Sequence, residues 1–134
     1  AHQTVLKNNG RTIAVLGNPL DSIYPYEHKK LATEILLKGG LLISESLIGD
    51  KINAGSFLLR NRIQVGLCSR IIAIENNRTG GTQQTIELCI KNNRKVGCVV
   101  HAEKSKDTAI VRSAKVQRLG SENEVLKFLA EENP

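Results

Sequence analysis

Aromatic side chains are scarce in this chain: two phenylalanines, two tyrosines and no tryptophan make 3% of 134 residues. That scarcity excludes a surface on which many bases stack on rings, so any grip on nucleic acid has to lean on phosphates. No apolar run approaches the roughly 18 residues of a membrane span. The first twenty residues also lack the basic-then-apolar order of a signal peptide. We therefore expect a cytoplasmic protein with no membrane partner. Cys68, Cys89 and Cys98 are odd in number, and each lies inside an apolar pattern rather than in a CxxC or Cys/His cluster with metal spacing. They read as buried free thiols of a reducing compartment, and no metal site is expected. His2, His28 and His101 are scattered, so no Ser/His/Asp or Cys/His set can be assembled from spacing. Neither catalysis nor a cofactor is expected.

What is present is an ordinary globular composition with a basic balance. Hydrophobic residues make up 40% and charged residues 24%, and the formal charge is +6 with a pI near 9.4. A chain of this length fits one domain and buries roughly 70% of the surface its unfolded form exposes. The charge permits a polyanionic partner without requiring one. There is no internal repeat, no low-complexity tract and no domain linker.

The patterning alternates. "TIAVLG" (Thr12 to Gly17), "LLISES" (Leu41 to Ser46), "RIIAIE" (Arg70 to Glu75) and "KVGCVV" (Lys95 to Val100) are short apolar runs, bounded by turn residues, of the kind buried on both faces as strands. Between them, "PYEHKKLATEILLKGG" has a Pro25 start, Leu31, Ile35 and Leu36 on one face and a Gly39 stop. "SFLLRNRIQVGL" and "GTQQTIELCIKNN" are the next two helices, the latter with Thr82, Ile86, Cys89 and Ile90 on a common stripe. Single helices between such strands predict right-handed crossovers and an α/β, doubly wound, mostly parallel sheet with helices on both faces. At the ends, "AHQTVLKNNGR" reads as the last turns of a helix stopped by Asn9 and Gly10. "DTAIVRSAKVQRLGSENEVLKFL" predicts a short helix, a brief strand around Val116 and a final helix capped by Ser121, with Glu124 completing a capping box.

In open parallel sheets, ligands bind beyond the carboxyl ends of the strands. That rule selects the loops Gly17 to Pro25, Glu45 to Ser56 and Glu75 to Thr85. Asp21 in the first loop reads as a residue that fixes its own turn. In the third loop, Gly80 and Gly81 let backbone approach a ligand beside Thr79 and Thr82, although neither a GK[ST] nor a GxGxxG pattern is met. A plain turn with a threonine cap explains the same residues. "AGSFLLRNRIQVGLCS" is greasy enough for a buried helix, yet opens on Gly55 and Ser56 and carries Arg60, Asn61 and Arg62 in a row. Buried guanidinium groups need partners. On an ideal helix, Arg60 and Arg62 point about 200° apart, so they cannot both face one small ligand. One is expected to reach a site and the other to brace the loops or pair with Glu45, Asp50 or Glu75. The plainer alternative has both only tying down loops.

Three ordered blocks carry a resemblance: "GRTIAVLGNPLDSIYPYEHKKLATEILLKGGLLISE", "AGSFLLRNRIQVGLCSRIIAIE" and "RTGGTQQTIELCIKNNRKVGCVV". The chain resembles the DNA-processing protein A family (DprA/Smf) in its Leu-Asp-x-Ile-Tyr-Pro loop, its Gly-x-Phe-x-x-Arg-Asn-Arg helix and its Ser/Thr-Gly loop entering a helix. The resemblance covers nearly the whole chain. It implies a Rossmann-like domain that binds single-stranded DNA without catalysis and helps to load a RecA-type recombinase during natural transformation or related repair. By position, it implies a basic pocket of Gly55, Ser56, Phe57, Arg60, Asn61 and Arg62, with Thr79, Gly80 and Gly81 beside it and Lys51 adding charge.

Departures are equally legible. Ala54 stands where some relatives carry a basic residue, and Lys106, Asp107 and Thr108 replace the family's Gly-Thr-Asn. The family's leading Gly-Ser/Thr-Arg strand end and its Ser-Gly-x-Ala-x-Gly-Ile-Asp turn have no counterpart, so we expect residues 1–134 to form a single but incomplete domain, part of a longer protein, that pairs with another copy as a homodimer. A rival reading is a LOG-type nucleotide-binding domain or nucleoside monophosphate phosphoribohydrolase, with Arg60 on the phosphate and Glu87 on the ribose. Glu87 follows Thr82 by five residues where that motif has three, which makes it a solvated helix residue instead.

Overall fold

The computed structural model describes residues 1–74, 80–100 and 113–131. The chain divides into two compact units, residues 1–63 and 64–134, and each is described by itself.

The first unit contains α1 (His2–Lys7), β1 (Ile13–Val15), a 3₁₀ turn (Tyr26–His28), α2 (Lys29–Leu37), β2 (Leu41–Ile43) and most of α3 (Ala54–Leu67). β1 and β2 pair in parallel, with Ile13 opposite Leu41 and Val15 opposite Ile43. Leu6, Ala14 and Ile35 form its core, with Leu16, Leu31 and Leu42 packed against them. The second unit contains β3 (Arg70–Ala73), α4 (Gly81–Lys91), β4 (Lys95–Val99), β5 (Val116–Leu119) and α5 (Glu122–Ala130). β4 lies between β3 and β5, parallel to both. Its core gathers Val65, Ala73, Ile86, Cys89, Val96, Cys98 and Val116. The fold is thus mixed α/β with parallel pairing, and among the described residues the strands lie in a two-stranded and a three-stranded ladder.

Helix ends follow one design. At Asn9, Gly39 and Asn93 the backbone turns left-handed, with φ of 56°, 73° and 53°. The residue after each donates back five positions: Gly10 to the Val5 carbonyl, Gly40 to Ile35 and Arg94 to Cys89, at 2.8–2.9 Å. This pairing satisfies the last helical carbonyls and turns the chain directly into the next strand. Asn9 and Gly39 were expected as stops. The Asn93 stop ends α4 at Lys91, two residues before its expected limit.

Other boundaries move for identifiable reasons. β1 and β2 are shorter than their apolar runs: past Val15 and Ile43 the Leu16 amide still donates to the Ile43 carbonyl at 2.7 Å, and the Ser44 hydroxyl donates to the Asn18 carbonyl at 2.7 Å. α3 starts at Ala54, earlier than expected, because the Asn53 side chain accepts from the Ser56 amide at 3.0 Å and caps the helix. The Ser121–Glu124 capping box is present at the start of α5, and β5 begins at Val116, both as expected. The short helix expected before Val116 lies outside the described residues.

In the second unit, the C-terminal end of α5 is held by two cations. The Arg70 guanidinium donates to the carbonyls of Phe128 and Leu129 and lies 5.9 Å from the centre of the Phe128 ring. Lys95 pairs with Glu131 at 3.1 Å. Beneath α5, Phe128 is 1% exposed, and Gly97 leaves the space it fills: a Cβ there would sit 2.6 Å from Leu119 Cδ1 and 3.2 Å from Phe128 Cε1.

Two predictions follow from this core. Gly97→Val forces Leu119 and Phe128 apart, and overpacking of this kind costs about 1–3 kcal/mol; denaturant unfolding followed by circular dichroism measures it. The second concerns Cys89, which is buried completely. Burial first, and then the neighbouring Cys68, push its thiol up to about 11 against a smaller opposing effect of Arg94. The folded chain therefore keeps a proton that the unfolded chain loses from about pH 8.5. Stability falls as pH rises from there to about 11. Unfolding midpoints across that window should decline, and Cys89→Ala should reduce the decline.

Candidate nucleic-acid interface

In the first unit, the carboxyl end of β1 and the start of α3 are built against each other. Gly17 lies two residues past the end of β1, and a Cβ at that position would lie 2.7 Å from Phe57 Cδ1 and 2.9 Å from Phe57 Cα. Only glycine lets the helix backbone approach the strand end this closely. From one turn further along α3, the Arg60 guanidinium donates to the Val15 carbonyl, the last residue of β1, and to Asn61 Oδ1 at 3.2 Å. Burial lowers the pKa of Arg60 from its ordinary value, and the group remains a cation at neutral pH.

The loop after β1 is organised by a residue that sequence reasoning passed over. Asn18 is 1% exposed, and its amide donates to the carbonyls of Pro19 at 3.0 Å and Ser22 at 2.7 Å. Its own carbonyl accepts from Ser44, whose hydroxyl also takes the Ser46 amide at 3.1 Å. One asparagine thus closes its own loop and ties it to the loop after β2. Asp21, expected to fix this turn, is exposed. The available signal was an asparagine between the strand-ending glycine and a proline, a position that favours a side-chain-closed turn. The same loop ends on Tyr24, whose ring lies 6.1 Å from that of half-buried Phe57 with the planes at 57°. Between this loop and α2 lies a cleft of about 360 Å³ lined in part by Leu20, Ile23, Tyr26 and Lys29.

The candidate residues of the middle block sit on one connection and its helix. Lys51 and Gly55 are exposed, Ser56 is half-buried, and no acidic residue occupies the first turn of α3. Arg62 is exposed and forms an ion pair with Glu45, the two side chains retaining 59% and 49% of their accessibility. Arg60 therefore braces and Arg62 pairs with a carboxylate, so both arginines are engaged within the chain, as the plainer alternative had it, and neither is seen reaching out alone. Asn61 is only 9% exposed and turns its carbonyl oxygen to Arg60.

In the second unit, Gly80 is the extended residue before α4 and Gly81 its first residue; the Gly80 carbonyl accepts from the Gln83 amide at 3.1 Å. No side chain caps this helix start. Thr79 lies outside the described residues, as do Glu75 and His101. Glu87 is exposed on α4 and accepts from Gln83 at 3.2 Å, as a solvated helix residue does. Among the described residues, no group of three or more His, Cys, Asp or Glu side chains is placed to hold a metal ion, and no helix is long and apolar enough to cross a membrane.

The family model for DNA recombination-mediator protein A matches residues 1–129. The chain belongs to that family. It is 41% identical over 96 residues to protein Smf of Synechocystis and 36% identical over 96 residues to the DNA processing protein DprA of Streptococcus pneumoniae. Each alignment takes in 72% of this chain, but only 24% and 34% of the relatives. The chain thus spans about a quarter to a third of their length. The crystal structure of pneumococcal DprA superposes on 95% of this chain and 46% of its own, with a TM-score of 0.81 at 29% identity. The Helicobacter pylori DprA structure, described by its single-stranded DNA binding mode, superposes on 96% of this chain and 69% of its own, with a TM-score of 0.76. At 18% identity it shares the fold. The chain is accordingly a Rossmann-like member of the DNA recombination-mediator protein A family.

Asn18 gives the measurable consequence for this family's loop. Asn18→Ala leaves two carbonyls without their buried donor and should cost about 1–3 kcal/mol. Asp21→Ala should cost less than about 0.5 kcal/mol. Urea unfolding of the two variants separates them, and equal midpoints would return the loop to Asp21.

Proposed function

We propose that this chain binds single-stranded DNA through its phosphates, at the surface where the loop after β2 runs into α3. The observation that carries the reading is the exposed cation set on that connection. Lys51, three residues before α3, is open to solvent beside a helix start free of acidic side chains, where backbone amides and the helix dipole favour an anion, and Arg62, exposed about two turns along α3 and paired with Glu45, is a second cation on the same helix. Family membership over residues 1–129 supports it, as does a solved relative from Helicobacter pylori that is described as binding single-stranded DNA. The formal charge of +6 has the matching sign. Gly55, Ser56 and Phe57 line the same start, with Phe57 offering a ring edge and Arg60 and Asn61 holding the frame. In the second unit, Gly80 and Gly81 at the uncapped start of α4 leave backbone donors of their own for an anion. No chemistry on DNA is assigned to it. The chain acts in the cytoplasm as a homodimer, and the bound strand is passed to a RecA-type recombinase, as natural transformation requires.

The phosphoribohydrolase reading would need Glu87 on a ribose, and its carboxylate is engaged by Gln83 on an exposed helix face. Incubation with AMP should release no adenine.

Salt titrations of oligonucleotide affinity test the main reading, because each phosphate contact to a single strand contributes about 0.7 to the slope of log K against log salt. Arg62→Ala should weaken binding and flatten that slope by about 0.7, with little change in stability, since exposed ion pairs contribute about 0–1 kcal/mol. Glu45→Gln, which frees Arg62, should tighten binding. Arg60→Ala should instead lower the unfolding midpoint, because it removes the donor from the Val15 carbonyl. Unchanged affinity and slope in both Lys51→Ala and Arg62→Ala would sink the assignment.

A further inference from the structure

The loop after β2 carries a feature that the phosphate reading leaves unused. Leu47 and Ile48, adjacent in sequence, are 74% and 79% exposed. They are not on a loose strand. The Asp50 amide donates to the Leu47 carbonyl at 3.1 Å, the Asp50 carboxylate accepts from the Leu47 amide at 2.7 Å, and Gly49 takes the left-handed conformation with φ of 88°. The turn is closed from both sides, so the two aliphatic side chains are held out with little ordering left to lose on contact. Two large apolar side chains left in water contribute nothing to folding, and a closed turn that holds them there points to a partner surface.

Three observations indicate which surface. The tip lies on the connection that continues through Lys51 to the start of α3, so whatever is drawn to those cations passes beside it. The Asp50 carboxylate beside it is turned back onto the Leu47 amide of its own turn rather than out along the tip. The connection itself carries no ring: of the four in the chain, Phe128 is buried under α5, Phe57 is half-buried in α3, and the exposed Tyr24 and Tyr26 belong to the loop after β1 and the 3₁₀ turn. A strand held by its phosphates turns flat, largely apolar base faces outward, and aliphatic side chains can cover such faces where aromatics are lacking.

We propose that the Leu47–Ile48 turn is a base-contacting wedge of a single-stranded DNA site, with the two side chains lying against base faces while Lys51 and Arg62 hold phosphates. This rests on the single-strand reading above, and the test separates the two. Affinity is measured for oligothymidine and for an abasic oligomer of equal length, with the wild-type chain and with Leu47→Ser/Ile48→Ser. Both positions are exposed, and circular dichroism checks that the variant remains folded. The expected result is a loss of about three- to tenfold on oligothymidine, no loss on the abasic oligomer and an unchanged salt slope. Leu47→Trp should tighten oligothymidine binding alone. If the double variant binds both oligomers as the wild type does, or loses equally on both, the wedge is overturned and the phosphate reading stands. A wild-type chain that binds neither oligomer overturns both.

Discussion

The Arg60 guanidinium on the Val15 carbonyl is the contact on which the candidate interface depends. It joins the last residue of a strand to the second turn of a helix 45 positions later in the chain. The charge is partly withdrawn from water, which is costly, and the carbonyl and Asn61 Oδ1 offset that cost. Gly17 works at the same junction by omission, since it adds no atom between strand end and helix backbone. With α3 fixed at this point, Lys51, Ser56 and Arg62 acquire a defined placement. The Arg60 side chain is thus a framework element, and Arg62 two positions on is the more exposed arginine, paired with Glu45 at the surface.

Much of the fold was legible because it is written in local rules. Alternating β-branched runs and helical stripes predicted parallel strands joined by helices. Asn9 and Gly39 announced helix ends because left-handed turns favour those residues. Ser121 and Glu124 announced a helix start three residues apart. The order of three motifs predicted the family, which no single loop could do.

What the residues alone did not disclose depends on distant partners. Asn18 outranks Asp21 because its amide can reach two carbonyls at once and its backbone meets Ser44, 26 residues away; no local pattern encodes that. The early start of α3 turned on Asn53, a cap hidden in a stretch that reads as loop. The roles of Arg60 and Arg62 were separable only in principle, by their angular offset on a helix. Assigning them required the positions of Val15 and Glu45. The exposed Leu47–Ile48 tip was masked by composition, since two aliphatics in a short apolar run look like core until their solvent exposure is known.

The left-handed helix stops have an architectural consequence. The helix-to-strand passages that carry these stops take residues 8–12, 38–40 and 92–94, whereas the strand-to-helix passage after β2 runs through 44–53. The first kind is welded by backbone pairing and tolerates no change of length, because one added residue would flip every following side chain across its ladder. Insertions and deletions are thereby channelled to the second kind. Divergence within such a scaffold can reshape what the protein grips while the part that folds it stays constant in length.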